Sequence, residues 1–265
     1  MPEGHTLHRL ARRHTELFGG RTIRASSPQG RFAAGAARLD GRRLSGVEAY
    51  GKHLFYDVPG AGYLHVHLGL YGSFRDGEQP APLAQGALRL RLQTDEVWAD
   101  LRGATVVELL DAAQRQSVLD RLGPDPLARR PKPAGFLTRV ERSKAPIAAL
   151  LMDQSVLAGI GNVFRAEALF RQGMDPYRPG RDITEAELRA LWDDLVKMLR
   201  AGLRTGRIVA TLPRDRPRGS PVLPDNAHYV YRRAGLPCRR CQTEIRVAEL
   251  VGRNLFWCPS CQAPR

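Results

Sequence analysis

The four cysteines of this chain all fall in its last 28 residues, as Cys238-x2-Cys241 and Cys258-x2-Cys261 with 16 residues between the pairs. No other feature constrains the fold as much. Two Cys-x2-Cys knuckles bring four thiolates to about 2.3 Å from one Zn2+, and the stretch between them is long enough to return as a β-hairpin. With every ligand position filled by protein, no place is left for a bound water. The ion is therefore expected to staple a small C-terminal subdomain and to take no part in chemistry. Two disulfides are the other use of four cysteines; they are disfavoured because the chain opens on no secretory signal pattern and paired knuckles are the zinc spacing.

Charge narrows the choice of partner. The chain has 265 residues and carries 41 basic against 27 acidic ones, a net of +14. Such an excess points to a polyanion, nucleic acid first and an anionic membrane surface second. No apolar run approaches 18 residues and no basic amphipathic helix is evident, so the membrane reading falls behind. From Arg204 to Arg265, 12 arginines stand against 4 acidic residues, which makes the region around the cysteines cationic. Only Lys52, Lys132, Lys144 and Lys197 are lysines. Each is either a solvated charge or a place where a compact, deprotonatable amine is needed in preference to a guanidinium.

Periodicity gives the order of elements. Leu7, Leu10, Ala11, His14, Leu17 and Phe18 make a helical stripe that Gly19-Gly20 ends. The runs 44–58 and 63–74 read as a hairpin about Pro59-Gly60-Ala61-Gly62, and Leu88, Leu90 and Leu92 alternate before 97–110 returns, which suggests an antiparallel sandwich or flattened barrel. Beyond a Pro-rich link the period turns helical. Helices are expected over 147–157 and 163–171, broken by Gly159-Ile160-Gly161-Asn162, and over a stretch opened by the capping box Thr184-x2-Glu187 and closed by Gly202. The plan is thus 1–122 β-sandwich, 123–135 linker, 136–212 helical domain, 213–227 Arg/Pro-rich connection and 228–265 zinc finger.

The start Met1-Pro2-Glu3-Gly4, the Gly51-Lys52-His53 strand, the Gly159–Asn162 segment and the C-terminal knuckles, in this order over nearly the whole chain, resemble the formamidopyrimidine-DNA glycosylase and endonuclease VIII family. The resemblance implies an α+β, two-lobed protein: an N-terminal antiparallel β-sandwich with an N-terminal helix, then a helix–two-turn–helix domain with a zinc-finger hairpin. It also implies a bifunctional DNA glycosylase and abasic-site lyase acting on oxidised bases.

The residues carry that chemistry. Removal of Met1 would leave Pro2 with a secondary α-amine, and since such amines titrate near 7.7–8.0 in general, a useful fraction is nucleophilic at neutral pH. Its Schiff base is necessarily a cationic iminium, an electron sink that permits β- and then δ-elimination. By resemblance Glu3 is the general acid, Lys52 contacts phosphate at the lesion and assists elimination, and Asn162 and Arg253 grip phosphates. Without the family, Glu3 is a carboxylate at a helix N-terminus and Asn162 an N-cap. Leu70-Tyr71 is the candidate wedge that fills the gap when the damaged nucleotide leaves the stack. It resembles the endonuclease VIII branch, and Asp100-Leu101-Arg102-Gly103-Ala104 lacks the Phe of the other branch; both favour oxidised pyrimidines. His5-Thr6 replaces the usual Pro-Glu of the N-terminal motif, which marks a variant site. The expected protein is a monomer of the bacterial cytoplasm, associated with the nucleoid, that binds DNA bearing oxidised bases or abasic sites. A noncatalytic binder of damaged DNA on the same scaffold is the alternative.

Overall fold

The computed structural model describes residues 2–216 and 221–264, so the removal of Met1 and the middle of the Arg/Pro-rich connection lie outside the described residues. The chain divides into two compact units between Arg121 and Leu122.

The first unit begins with α1 (Gly4–Phe18), which forms because Leu7, Ala11, His14, Leu17 and Phe18 recur on one face and bury it. Eleven further elements follow in chain order: β1 (Thr22–Ser26), α2 (Ala33–Leu39), β2 (Arg42–Arg43), β3 (Gly46–Tyr50), β4 (His53–Val58), β5 (Gly62–His67), β6 (Ser73–Glu78), β7 (Leu88–Gln93), β8 (Val97–Arg102), β9 (Val106–Leu110) and α3 (Ala112–Asp120). They build two antiparallel sheets, β2-β1-β7-β8-β6 and β3-β4-β5-β9. Ile23, Leu90, Leu92 and Leu101 of one sheet, Leu54, Tyr56, Leu64 and Val66 of the other, and the apolar face of α1 share one core. The exposed edge of β3 is covered: the Thr15 hydroxyl accepts from Val47 N–H at 2.9 Å and donates to its carbonyl at 3.2 Å, so α1 runs along the sheet as an extra edge.

Three expected strands prove to be pairs. The 44–58 run folds back at Gly51, where φ is +56°, and Tyr50 pairs with His53. Only glycine takes that conformation cheaply. The 63–74 run breaks at Gly69 (φ +67°) and 97–110 at Gly103 (φ +63°). In both the chain leaves one sheet for the other, so Leu70-Tyr71 lies on a crossover between β5 and β6 and not within a single 63–74 strand. A continuous apolar pattern hides such breaks, because residues on both sides of each turn face the same core.

The second unit contains α4 (Ala134–Glu141), α5 (Ile147–Leu150), α6 (Asn162–Arg171), α7 (Glu185–Thr205), β10 (Arg246–Leu250) and β11 (Arg253–Trp257). The expected 147–157 helix is a single turn followed by irregular chain, and Gln154 satisfies that chain by bonding Met152, Gly159 and Ile160. Thr184 makes both bonds of its capping box, but α7 runs past Gly202 to Thr205 and ends on Gly206 at φ +73°. Gly202 is buried inside the helix, where the absent side chain lets it pack. Asn162 is the first helical residue of α6, with Gly161 at the cap position. One apolar core takes Phe136, Phe164, Leu169, Leu191 and Leu195 from the helices together with Ile245, Leu255, Phe256, Cys238 and Cys258 from the finger. The finger is therefore built onto the helical core of this unit.

Candidate active site and metal centre

The hairpin of β10 and β11, paired from Arg246↔Trp257 to Leu250↔Arg253, carries the second cysteine pair back to the first. The four ligand atoms of Cys238, Cys241, Cys258 and Cys261 lie within 4.8 Å of one another. Tetrahedral Zn–S bonds of about 2.3 Å require sulfurs about 3.8 Å apart. The Cys238–Cys261 and Cys241–Cys258 separations are 3.8 Å and 3.4 Å, far beyond the ~2.05 Å of a disulfide. Backbone N–H groups of Arg240 and Cys261 point at the sulfurs of Cys238 and Cys258 at 3.4 Å, the donors that thiolate charge requires. The donor set fits one structural zinc. Gln262 fastens the centre to the unit: its carbonyl accepts from Cys258 N–H, and its amide donates to the Met174 carbonyl, each at 3.0 Å.

Asn162 is buried at the start of α6, and its amide donates to the backbone carbonyl of Asn254 at 2.8 Å, one residue from the exposed Arg253. The fully buried Arg165 donates to the side-chain oxygen Oδ1 of Asn162 and, at 3.2 Å, to the backbone carbonyl of Asn254. The two expected phosphate grips thus belong to one hydrogen-bonded locality, which Arg165 organises. Arg165 was not legible among 37 arginines; only burial distinguishes it.

In the first unit Pro2 is half-buried, and Glu3 is buried at the cap position of α1, where its carbonyl accepts from Thr6 N–H at 2.8 Å. Burial lowers the His5 pKa to about 4, and the Arg9 charge contributes to the same shift; the ring lies 3.4 Å from the Thr6 hydroxyl. Leu70 is 41% exposed and Tyr71 87%.

Lys52 sits in the β3–β4 turn beside a cluster that sequence reasoning missed. His53, His65, His67 and Glu108 share the face of the four-stranded sheet opposite its core, because His53 pairs with His67 and His65 with Glu108. His65 Nδ1 lies 2.8 Å from Glu108, His65 Nε2 2.8 Å from His53 Nδ1, and His67 Nδ1 donates to the Lys52 carbonyl at 3.0 Å. Burial lowers the pKa of all three rings, His53 to about 3, where His67, His65, Arg121 and Lys52 add repulsion. The alternation in Leu64-His65-Val66-His67 was the available signal.

A zinc-stapled hairpin on a helical unit, preceded by a sandwich unit headed by Pro-Glu, defines a DNA glycosylase of the helix–two-turn–helix class. The chain matches the formamidopyrimidine-DNA glycosylase N-terminal domain over residues 1–107, that enzyme's H2TH domain over 122–213, and the zinc finger found in FPG and IleRS over 235–264. It is 51% identical to endonuclease 8 1 of Mycobacterium tuberculosis over 99% of this chain and 100% of that protein. It is 34% identical to the formamidopyrimidine-DNA glycosylase of Thermus thermophilus over 99% and 98%. The Lactococcus lactis Fpg in complex with abasic-site DNA superposes with a TM-score of 0.82 at 22% identity, over 99% of this chain and 100% of that one. The chain belongs to the formamidopyrimidine-DNA glycosylase and endonuclease VIII family of DNA-repair glycosylases.

Proposed function

We propose that this protein is a bifunctional glycosylase and abasic-site lyase that removes oxidised bases, pyrimidines in preference. The observation that carries the reading is Pro2-Glu3 at the head of α1 in a chain half identical to an endonuclease 8 along its whole length. Pro2, freed of Met1, attacks C1′. The C1′–N bond to the base breaks, the base leaves with its electron pair, and C1′ is left bonded to the Pro2 nitrogen and the ring oxygen; when the C1′–O4′ bond then breaks, with its pair going to the oxygen, the cationic iminium forms. Glu3, buried at the cap position of α1, supplies the proton to the ring oxygen that opens the sugar ring. Loss of the C2′ proton then gives an enamine that expels the 3′ phosphate, and a second elimination expels the 5′ phosphate.

Lys52 contacts the phosphate at the lesion, Asn162 and Arg253 grip the backbone, and Leu70 and Tyr71 occupy the space left by the everted nucleotide. The pyrimidine preference draws on Leu70-Tyr71 and on the β8–β9 turn Arg102-Gly103-Ala104, which offers no aromatic wedge. The enzyme works as a monomer at the nucleoid. Borohydride reduction tests the reading: processed protein incubated with an abasic-site oligonucleotide should give a stable adduct that Pro2→Gly, still bearing an α-amine, forms more slowly. Binding with no adduct would leave a noncatalytic damage binder. A panel of lesion-bearing oligonucleotides tests the preference, and faster release of 8-oxoguanine than of oxidised pyrimidines would reverse it.

A further inference from the structure

The histidine cluster beside Lys52 has fixed polarity. A carboxylate can only accept, so His65 Nδ1 carries the proton that bonds Glu108, and His65 Nε2 is left as a lone pair. That lone pair lies 2.8 Å from His53 Nδ1, which must therefore carry its own proton, and His53 Nε2 is bare. The rings are held in place as well as in protonation state. His53 stacks on His67 at 4.8 Å, His65 stacks on Phe55 at 4.9 Å, and His53 and His65 meet edge to edge through their hydrogen bond. Carboxylate, imidazole, imidazole: this is the arrangement by which a carboxylate orients a catalytic histidine and stabilises the cation it becomes, lengthened by one ring.

We propose that His53 is the proton acceptor of the strand-scission step, and that His65 and Glu108 are positioning residues that hold its ring in the acceptor tautomer next to Lys52. The inference rests on the lyase reading above. In the step, the C2′–H bond breaks, its electron pair moves toward the iminium, and the proton passes to His53 Nε2. The Nδ1 proton is then drawn toward His65, and the charge is offset by Glu108.

The surrounding groups agree. Lys52 from the β3–β4 turn, His67 from β5 and Arg121 after α3 all oppose a charge on His53, so the ring rests neutral and available throughout the neutral range. Arg115 of α3 faces the Phe55 ring at 5.3 Å and is paired with Glu48, which places its charge one ring farther off. An arriving phosphodiester brings negative charge to this cationic cluster and raises the basicity of the ring toward working pH.

Glu108→Gln separates the roles with least disturbance, since Glu108 is half-exposed and a glutamine carbonyl can still accept from His65. The measurements are single-turnover scission of a preformed abasic site from pH 5.5 to 9, borohydride trapping, affinity for an oligonucleotide with a non-cleavable abasic analogue, and melting temperature. Glu108→Gln should slow scission about tenfold or more, and His53→Gln about a hundredfold, within the usual span for general-base groups. Trapping, affinity and melting should stay near wild type. Removing the carboxylate lowers the basicity of His53, so the acid limb of the remaining scission profile should move to lower pH. A purely structural role would depress trapping, affinity and scission together and leave that limb in place. Scission within twofold of wild type in both variants, with normal trapping, would overturn the proposal. Absence of any adduct from wild-type protein would overturn the lyase reading itself, and this inference with it.

Discussion

Glu167 should be the residue on which the attachment of the finger depends. It is fully buried on α6, and its carboxylate accepts three successive backbone N–H groups, from Tyr229 at 2.7 Å, Val230 at 2.9 Å and Tyr231 at 2.8 Å. These residues lead into the first knuckle. In Glu167→Gln the oxygen shared by Val230 and Tyr231 can be kept, but an amide N–H₂ replaces the oxygen facing Tyr229, and donor then meets donor. One charge-assisted bond worth about 1.5–3 kcal/mol is lost and a buried donor is left unmade, while relief from desolvating a carboxylate returns part of the cost. The net should be near 3 kcal/mol, or about 9 °C in melting temperature at roughly 3 °C per kcal/mol for a protein of this size. Differential scanning calorimetry with zinc held saturating measures it, and hydrogen exchange should quicken at residues 229–231. Glu249→Gln, an exposed hairpin position, is the control and should stay within about 0.5 kcal/mol. A Glu167→Gln shift no larger than that control would refute the reasoning.

Elemental analysis should find one zinc per chain, and chelation should unfold the hairpin of β10 and β11 while the helices persist by circular dichroism. Arg253→Ala should weaken DNA binding by about 1–3 kcal/mol whatever the sequence, and a salt titration should show a shallower slope than wild type. Glu187 is held down to about pKa 2, first by its bond to Arg178 and then by the capping bonds from Thr184, against 4.5 ordinarily. A carboxylate whose folded pKa is lowered contributes stability above its ordinary range and loses it as pH falls, here between about 5 and 2. Arg178→Ala should therefore lower the melting temperature most at neutral pH and least near pH 2, which flattens the acid side of the profile over that window.

How much was legible follows from what kind of signal each feature leaves. The zinc ligands were readable because the metal demands four identical donors at fixed spacing, and the structure brings those four sulfurs together. The α1 stripe and the Thr184 capping box were readable because helix period and cap chemistry are local. The splitting of the 44–58, 63–74 and 97–110 runs was not, since glycines that reverse the chain resemble glycines inside strands until the sheet partners are known. The Glu108–His65–His53 chain was hidden for a related reason. Its members lie 43 and 12 residues apart and meet only through strand register.

The same limit hid Arg165, and it yields the sharpest test of how the Asn162–Arg253 locality, proposed to grip phosphate, is assembled. Asn162 reaches the finger through a backbone carbonyl, so Asn254→Ala should leave its bond intact and DNA affinity nearly unchanged. Arg165→Met removes the group that holds both the side-chain oxygen Oδ1 of Asn162 and the backbone carbonyl of Asn254. If Arg165 acts by aiming Asn162, then Arg165→Met and Asn162→Ala each weaken binding, and the double variant is hardly worse than either, a coupling of about 1 kcal/mol or more in a double-mutant cycle. Strictly additive losses would mean that Arg165 acts on DNA or on folding by a separate route. Melting curves on the same four proteins would tell those two routes apart, because a folding defect lowers the transition with no oligonucleotide present, whereas a lost DNA contact does not.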